Sequence, residues 1–302
     1  MSCRIVFVVM KFSWLKRCAS SAFFERKEGL EEGLMREPRV LLLFAIGIGL
    51  IVGTFVDIVS SIDVAPAGIP STRVLLVDNS LNRPIYVPER QWASYLGDIP
   101  YDVVHIPGGD DIPPLGEYTH MIISGSTASL VEPPGWVAVE AELVRDAASS
   151  GVSILGSCFG HQMLVYSLSG SQYVQRAAAP EIGWIEIEMT EDEGLFADAP
   201  NPWHAFAWHS DEVVNPPAPW RVLGHSSACP VHVIRYGDAP IWGLQSHPET
   251  KPLGAKILLF LDLLVFDWGS EGIRAALLQA PRDDRILGSV MERFLAGEDV
   301  SD

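Results

Sequence analysis

Residues 156–162 read Gly156-Ser157-Cys158-Phe159-Gly160-His161-Gln162, and this short stretch constrains the fold more than any other. The apolar run Val152 to Gly156 precedes it, and a helical pattern, Phe159 to Leu168, grows out of it until Gly170 stops the helix. A strand that enters a helix around one side chain must turn sharply. Such a turn pushes Cys158 outward in a strained backbone geometry, and the glycines two positions either side leave room for the chain to fold back. The helix then aims its first N–H groups at Cys158, favouring the thiolate form that a nucleophile requires. Free cysteine is also a common small buried residue, so the turn by itself leaves a structural reading open.

The surrounding pattern suits such a turn. Short apolar runs at Arg73 to Val77, Val103 to Ile106 and His120 to Ile123 read as strands, and Trp136 to Ser149 has helical periodicity closed by Gly151. This alternation predicts an α/β fold, a central, mostly parallel sheet flanked by helices. From Ile182 onward the second half becomes richer in β-structure. Ile185 to Met189, Ala205 to Trp208, Arg221 to Leu223, Val231 to Arg235 and Ile241 to Gln245 follow one another as short strands. Leu253 to Phe266 and Asp284 to Leu295 read as amphipathic helices. The expected organisation is an N-terminal extension over 1–71, a main domain over 72–268 and a helical tail over 269–302.

A second motif, Gln245-Ser246-His247-Pro248-Glu249, follows the last of these strands. In extended chain, residues two apart point the same way, so His247 and Glu249 share a face, and Pro248 keeps its predecessor out of the helical region. A base oriented by a carboxylate is the arrangement that activates a thiol. An exposed His-Pro-Glu turn without chemistry is the alternative, and the Cys158 turn weighs against it.

Charge and the N-terminal segment add exclusions. Residues 72–302 hold 13 Lys+Arg against 31 Asp+Glu, a net of −18 that repels phosphate backbones, so no nucleic-acid partner is expected. Cys3, Cys18, Cys158 and Cys229 are scattered, without the spacing of a zinc site or a disulfide framework, and no metal or cofactor is expected. Val40 to Val59 is apolar apart from Thr54 and Asp57, long enough at ~1.5 Å per residue to cross a bilayer core as an N-terminal apolar helix. Asp57 shortens the clean run to the lower edge of the spanning range; a cleaved signal, for which the run begins unusually late, and a start-site extension are the alternatives. Basic residues before the run place the N-terminus in the cytosol and export the rest, whereas a reactive thiol is easier to keep reduced in cytosol. A cytoplasmic and a membrane-anchored protein both remain open, the anchor being residues 40–59. Ile62 to Ser71, with Pro66, Gly68 and Pro70, reads as a linker.

The paired motifs resemble the signatures of class I glutamine amidotransferases, over roughly Thr72 to Phe266. Further pieces agree: Ile123-Ser124-Gly125-Ser126 occupies the place of the family's oxyanion loop. Glu181-Ile182-Gly183-Trp184 resembles a stretch of stand-alone, GMP-synthase-like members, and Trp208-His209-Ser210-Asp211 resembles the family's H-x-D segment. The resemblance implies a flavodoxin-like fold and a Cys-His-Glu triad that hydrolyses a γ-glutamyl amide through a γ-glutamyl thioester. Cys158 would be the nucleophile, His247 the base and then the acid, and Glu249 its orienter. Gln162 would contact the substrate, and the backbone N–H of Phe159 with one from the Gly125-Ser126 loop would hold the oxyanion. His209 and Asp211 join the substrate-binding set, although His209 also reads as a satisfied polar residue at a strand end; His161 reads as structural. Ser126 departs from the family, many of whose members have a second glycine there, and a Cβ makes a peptide flip harder.

The resemblance also sets the partners. Glutamine or another γ-glutamyl compound is the expected substrate. Only 53 residues follow Glu249, too few for an acceptor synthase domain, and no phosphate-cradling loop for ATP is present, so any ammonia acceptor would be a separate polypeptide, a synthase subunit. Two alternatives stand beside this: a γ-glutamyl peptide hydrolase, which shares the thioester and differs in the leaving group, and a non-catalytic, membrane-tethered binding protein of the same fold. A related thiol hydrolase and chaperone group has a similar turn but lacks the His-Pro-Glu element.

Overall fold

The computed structural model describes residues 72–83, 85–191, 193–265 and 270–297. The apolar run 40–59, the extension to 71 and the membrane anchor read from them lie outside the described residues. Among the described residues no helix is long and apolar enough to cross a membrane.

Four short, mostly apolar strands are buried almost throughout: β1 (Val74–Val77), β3 (His120–Ile123), β4 (Ser153–Ser157) and β9 (Ile241–Leu244). Strands of that kind belong in the middle of a parallel sheet. With β2 (Tyr101–Val104) they pair in parallel in the order β2-β1-β3-β4-β9. The sheet then continues antiparallel through β8 (Val233–Tyr236), β7 (Trp220–His225), β5 (Val174–Met189) and β6 (Trp203–Val213). The sheet is therefore mixed, parallel in its first half and antiparallel in its second.

Alternation along β1 splits the core into two layers, as a side-chain period of two requires. Leu75 and Val77 pack with Met121, Ile123 and Ile154 beneath helices α2 (Val137–Ser149) and α3 (Phe159–Ser169). Val74 and Leu76 face the other way, towards Trp92 and Leu96 of helix α1 (Pro88–Leu96) and Val290, Met291 and Phe294 of a C-terminal helix, Leu287–Ala296. Two further helices, α4 (Pro252–Val265) and α5 (Glu271–Leu278), cover Trp184 of β5 and Phe206 of β6 with Ala255, Leu259, Ile273 and Ala276. The C-terminal helix is α6. It lies inside the segment 269–302, and its buried side chains each contribute ~1.5–3 kcal/mol to the layer under β1.

Two features depart from the sequence reading. Helix α1 was not anticipated, because Trp92 and Leu96 are its only fully buried large side chains and two apolar positions make no periodic stripe. Strand β5 begins at Val174 and not at Ile185. Its first half carries Gln175, Arg176 and Glu181, polar residues made extended by pairing with β6 across Gln175↔Glu212 and Arg176↔Asp211.

Candidate active site

The turn between β4 and α3 puts Cys158 at φ +50° and ψ −105°, a left-handed conformation that costs a residue with a Cβ ~1–3 kcal/mol. Hydrogen bonds on both sides hold it there. The Cys158 N–H donates to the Leu244 carbonyl of β9 at 2.7 Å, and the Cys158 carbonyl accepts from the Gln162 N–H at 3.1 Å. Gly160 lets the new helix lie against β3: a Cβ there would stand 2.2 Å from the Ile123 carbonyl oxygen. Gly160→Ala is therefore expected to cost ~1–3 kcal/mol by overpacking, measured as a lower midpoint in urea. An unchanged midpoint would mean that α3 slides freely over the sheet.

Because β4 pairs with β9 in the register Ser157↔Leu244, the segment after β9 arrives beside the turn. His247 and Cys158 stand 89 residues apart in sequence and line one cavity of about 270 Å³. His247 Nδ1 is 2.8 Å from Glu249 Oε1, and the His247 N–H donates to the Phe206 carbonyl at 2.7 Å. Burial disfavours a charged His247 ring. The adjoining Cys158 sulfur and the Glu249 carboxylate outweigh that penalty and hold its pKa well above the usual histidine range. Both neighbours thus favour the protonated ring.

Ser157 was not singled out from sequence, yet its Oγ lies 3.1 Å from both carboxylate oxygens of Glu249 and 3.2 Å from the Ser246 carbonyl. Its neighbour Cys158 points into the cavity while Ser157 points at the carboxylate. Only the β4–β9 register, which no local pattern reveals, brings the two together.

The other singled-out residues line the same cavity or support it. A Cβ on Gly125 would stand 2.5 Å from His247 Cε1, so the loop passes directly against the His247 ring. Ser126 faces the cavity and its Oγ accepts the Ala128 N–H at 3.1 Å. Phe159 is buried against Trp136, with ring centroids 5.5 Å apart. Gln162 also lines the cavity, but its Nε2 already donates to the Asp211 carbonyl at 2.7 Å and to Gln245 Oε1 at 3.2 Å. Asp211 is tied by Ser129 Oγ at 2.5 Å and Arg176 Nη1 at 2.8 Å. His209 has both ring nitrogens engaged, Nδ1 with the Asp211 carbonyl at 3.1 Å and Nε2 with Glu181 Oε2 at 2.9 Å. His161 is fully buried within α3.

Tyr86 and Arg176 also line the cavity and were missed. Tyr86 lies in the loop after β1, and its ring meets His247 edge-on at 6.5 Å. The one signal for it was topological, since the loops after the carboxyl ends of parallel strands gather at one edge of such a sheet.

Beneath the Gly125 loop lies a buried carboxyl. The Asn79 N–H donates to Ser124 Oγ at 2.9 Å and Asn79 Nδ2 donates to Glu140 Oε1 at 2.8 Å. Burial pushes Glu140 up to about 8, the Asn79 hydrogen bond opposing it. Unfolded, it ionises near pH ~4.3, so from there to about pH 8 folding takes up a proton. Stability present below the unfolded value is lost as pH rises, by up to ~1.4 kcal/mol per pH unit. Glu140→Gln removes that slope, so the variant should gain on the parent between about pH 5 and about pH 8 in denaturant melts. A pH-independent difference would show that Glu140 is ionised in the fold.

A family model described as Glutamine amidotransferase class-I matches residues 93–263. One subunit of the glutamine-hydrolyzing GMP synthase of Saccharolobus solfataricus is 31% identical over 175 residues, 57% of this chain and 87% of that protein. The corresponding subunit from Methanococcus aeolicus is 36% identical over 114 residues, 37% of this chain and 60% of that protein. The GMP synthase of Bifidobacterium longum is 34% identical over 140 residues, 46% of this chain and 25% of that protein. The chain thus spans less than two thirds of the last two relatives. Among solved structures, a glutamine amidotransferase from Thermotoga maritima aligns with a TM-score of 0.63 at 22% identity, over 75% of this chain and 99% of that one. Another from Methylobacillus flagellatus aligns at 0.60 and 20% identity, over 75% and 95%. These two likenesses establish the fold.

Proposed function

The chain belongs to the class I glutamine amidotransferases, which hydrolyse amides with a cysteine, and on that premise we propose that it cleaves the side-chain amide of glutamine with Cys158, His247 and Glu249. The observation that carries this reading is geometric: His247, held by Glu249 Oε1 at 2.8 Å, and Cys158 line one cavity, where the sulfur and the carboxylate both favour a protonated ring.

The chemistry follows from that arrangement. The Cys158 sulfur attacks the amide carbon and the carbonyl oxygen becomes an oxyanion, held by the Phe159 N–H and an N–H of the Gly125-Ser126 loop. As the C–N bond breaks, His247 gives its proton to the departing ammonia. The neutral ring then takes a proton from water, which opens the thioester, releases glutamate and restores the charged pair. Glu249 keeps Nδ1 facing it throughout, so the other nitrogen serves the sulfur and the leaving group. Gln162, His209 and Asp211 shape the wall that receives the amino-acid end. Ammonia passes to a separate synthase polypeptide, a division of labour suggested by relatives that are themselves named as single subunits of GMP synthase.

A second reading rests on the breadth of the cavity. Its lining extends to Ile85, Leu258 and Asp262, which would accommodate an amine larger than ammonia, so a γ-glutamyl peptide is the alternative substrate. Ammonia release from glutamine and amino-acid release from γ-glutamyl dipeptides, each measured with the purified chain, separate the two. A chain that acts on neither is a binding protein of this fold, and the proposal fails.

A further inference from the structure

Behind the cavity wall, groups able to bind a metal converge from three parts of the chain. A ring nitrogen from each of His209 and His232 and the Cys229 sulfur lie within 4.8 Å of one another, all three residues buried. A fourth group bridges the two imidazoles. Glu181 Oε2 is 2.9 Å from His209 Nε2 and 3.1 Å from His232 Nε2. Glu181 comes from β5, His209 from β6, and Cys229 and His232 from the turn that leads into β8. Sequence spacings of 28, 20 and 3 residues conceal the set from any pattern search.

The composition of the group is what calls for an explanation. Two imidazoles on one carboxylate would satisfy each other, and the thiol adds nothing to that network: its own acceptor is the Val231 carbonyl at 3.5 Å. Two nitrogens, a sulfur and a carboxylate oxygen are, however, the donors of a tetrahedral zinc site, in which bonds of ~2.0–2.3 Å put neighbouring donor atoms ~3.3–3.7 Å apart. The carboxylate oxygen, 2.9 and 3.1 Å from the two ring nitrogens, is already close to that spacing, and the Cys229 sulfur, within 4.8 Å of both rings, has to move inward.

Hydrogen bonds that orient three of the four groups from behind are also in place, while His232 Nδ1 has no hydrogen-bond partner among the described residues. Ser226 Oγ donates to Glu181 Oε1 at 2.6 Å, which leaves Oε2 for an ion, and accepts the Cys229 N–H at 2.9 Å. His209 Nδ1 faces the Asp211 carbonyl at 3.1 Å.

We propose that Glu181, His209, Cys229 and His232 form a closed structural site for a divalent zinc-type cation, clamping β5 and β6 to the turn before β8. Two N–metal bonds, one S–metal and one O–metal bond form. The thiol proton goes to solvent, each ring binds through Nε2 with its proton on Nδ1, and His209 then donates to the Asp211 carbonyl. That same carbonyl accepts from Gln162 Nε2, so the ion steadies the cavity wall without touching the reacting atoms.

Metal content and cobalt substitution of the full chain test this. Zinc-loaded and desalted protein should retain about one ion per chain. Cobalt(II) in its place should give a thiolate-to-cobalt charge-transfer band that persists in Cys158→Ala and vanishes in Cys229→Ala. Failure to retain stoichiometric zinc overturns the proposal, as does a band that survives Cys229→Ala, since the sulfur would then be Cys3, Cys18 or Cys158. If Cys229→Ala does not fold, zinc X-ray absorption of the unaltered protein decides. One sulfur with three nitrogen or oxygen neighbours supports the site, and a shell without sulfur rules it out.

Discussion

Replacing Cys158 with alanine should remove hydrolysis of the γ-glutamyl amide by a factor on the order of 10⁴ or more, the loss typical of deleting a covalent nucleophile. The expectation rests on the strained turn that presents this thiol to the cavity and on the His247 ring that lines the same cavity. A glutamine-analogue electrophile offers the sharper measurement, because it reports the bond that the proposed mechanism forms. Mass-spectrometric mapping should place the adduct on Cys158. Cys229 is the internal control: it is buried, and burial pushes its thiol up to about 12, so it should stay unlabelled. Labelling at Cys229 with none at Cys158 would transfer the chemistry elsewhere in the molecule.

The second large effect is a failure of additivity. His247→Ala should cost nearly as much as Cys158→Ala, since a thiol without its proton partner and a ring without its thiol are equally idle. Glu249→Gln should be milder by ~10–100-fold, because it keeps a group beside Nδ1 but removes the charge that favours the cation. Ser157 remains to hold the substituted side chain. The Cys158, His247 and Glu249 triple variant should then be no worse than Cys158→Ala alone. Losses that multiply from one substitution to the next would mean that the three residues act separately.

How much of this was legible beforehand depended on how local the signal was. The turn at Cys158 and the His-Pro-Glu segment each fit within seven residues, and the inner strands β1, β3, β4 and β9 announce themselves as short, mostly apolar runs. Polar stretches made extended by their partners could not be read in that way, and the first half of β5 is the clearest instance. Ser157 against Glu249, Tyr86 against His247, and the His209, Cys229 and His232 group depend on pairings between distant segments. Spacing along the chain contains no trace of them. Even for residues singled out in advance, only the fold shows that His209 has both nitrogens committed and that Gln162 already donates to two acceptors.

The pairing of β4 with β9 has a consequence for how the polypeptide acquires its reactivity. Everything from α3 through β8 must be threaded between those two strands before Leu244 can reach Ser157. Closing a loop of that length is a late, slow event in a high-contact-order topology. Until it happens, Cys158 has neither its imidazole nor its turn, and it behaves as an ordinary thiol. The proposed chemistry would thereby be confined to chains that have completed this pairing. Measured during refolding, the capacity to be labelled by a glutamine analogue would therefore mark the last long-range docking step and lag behind the recovery of helical signal.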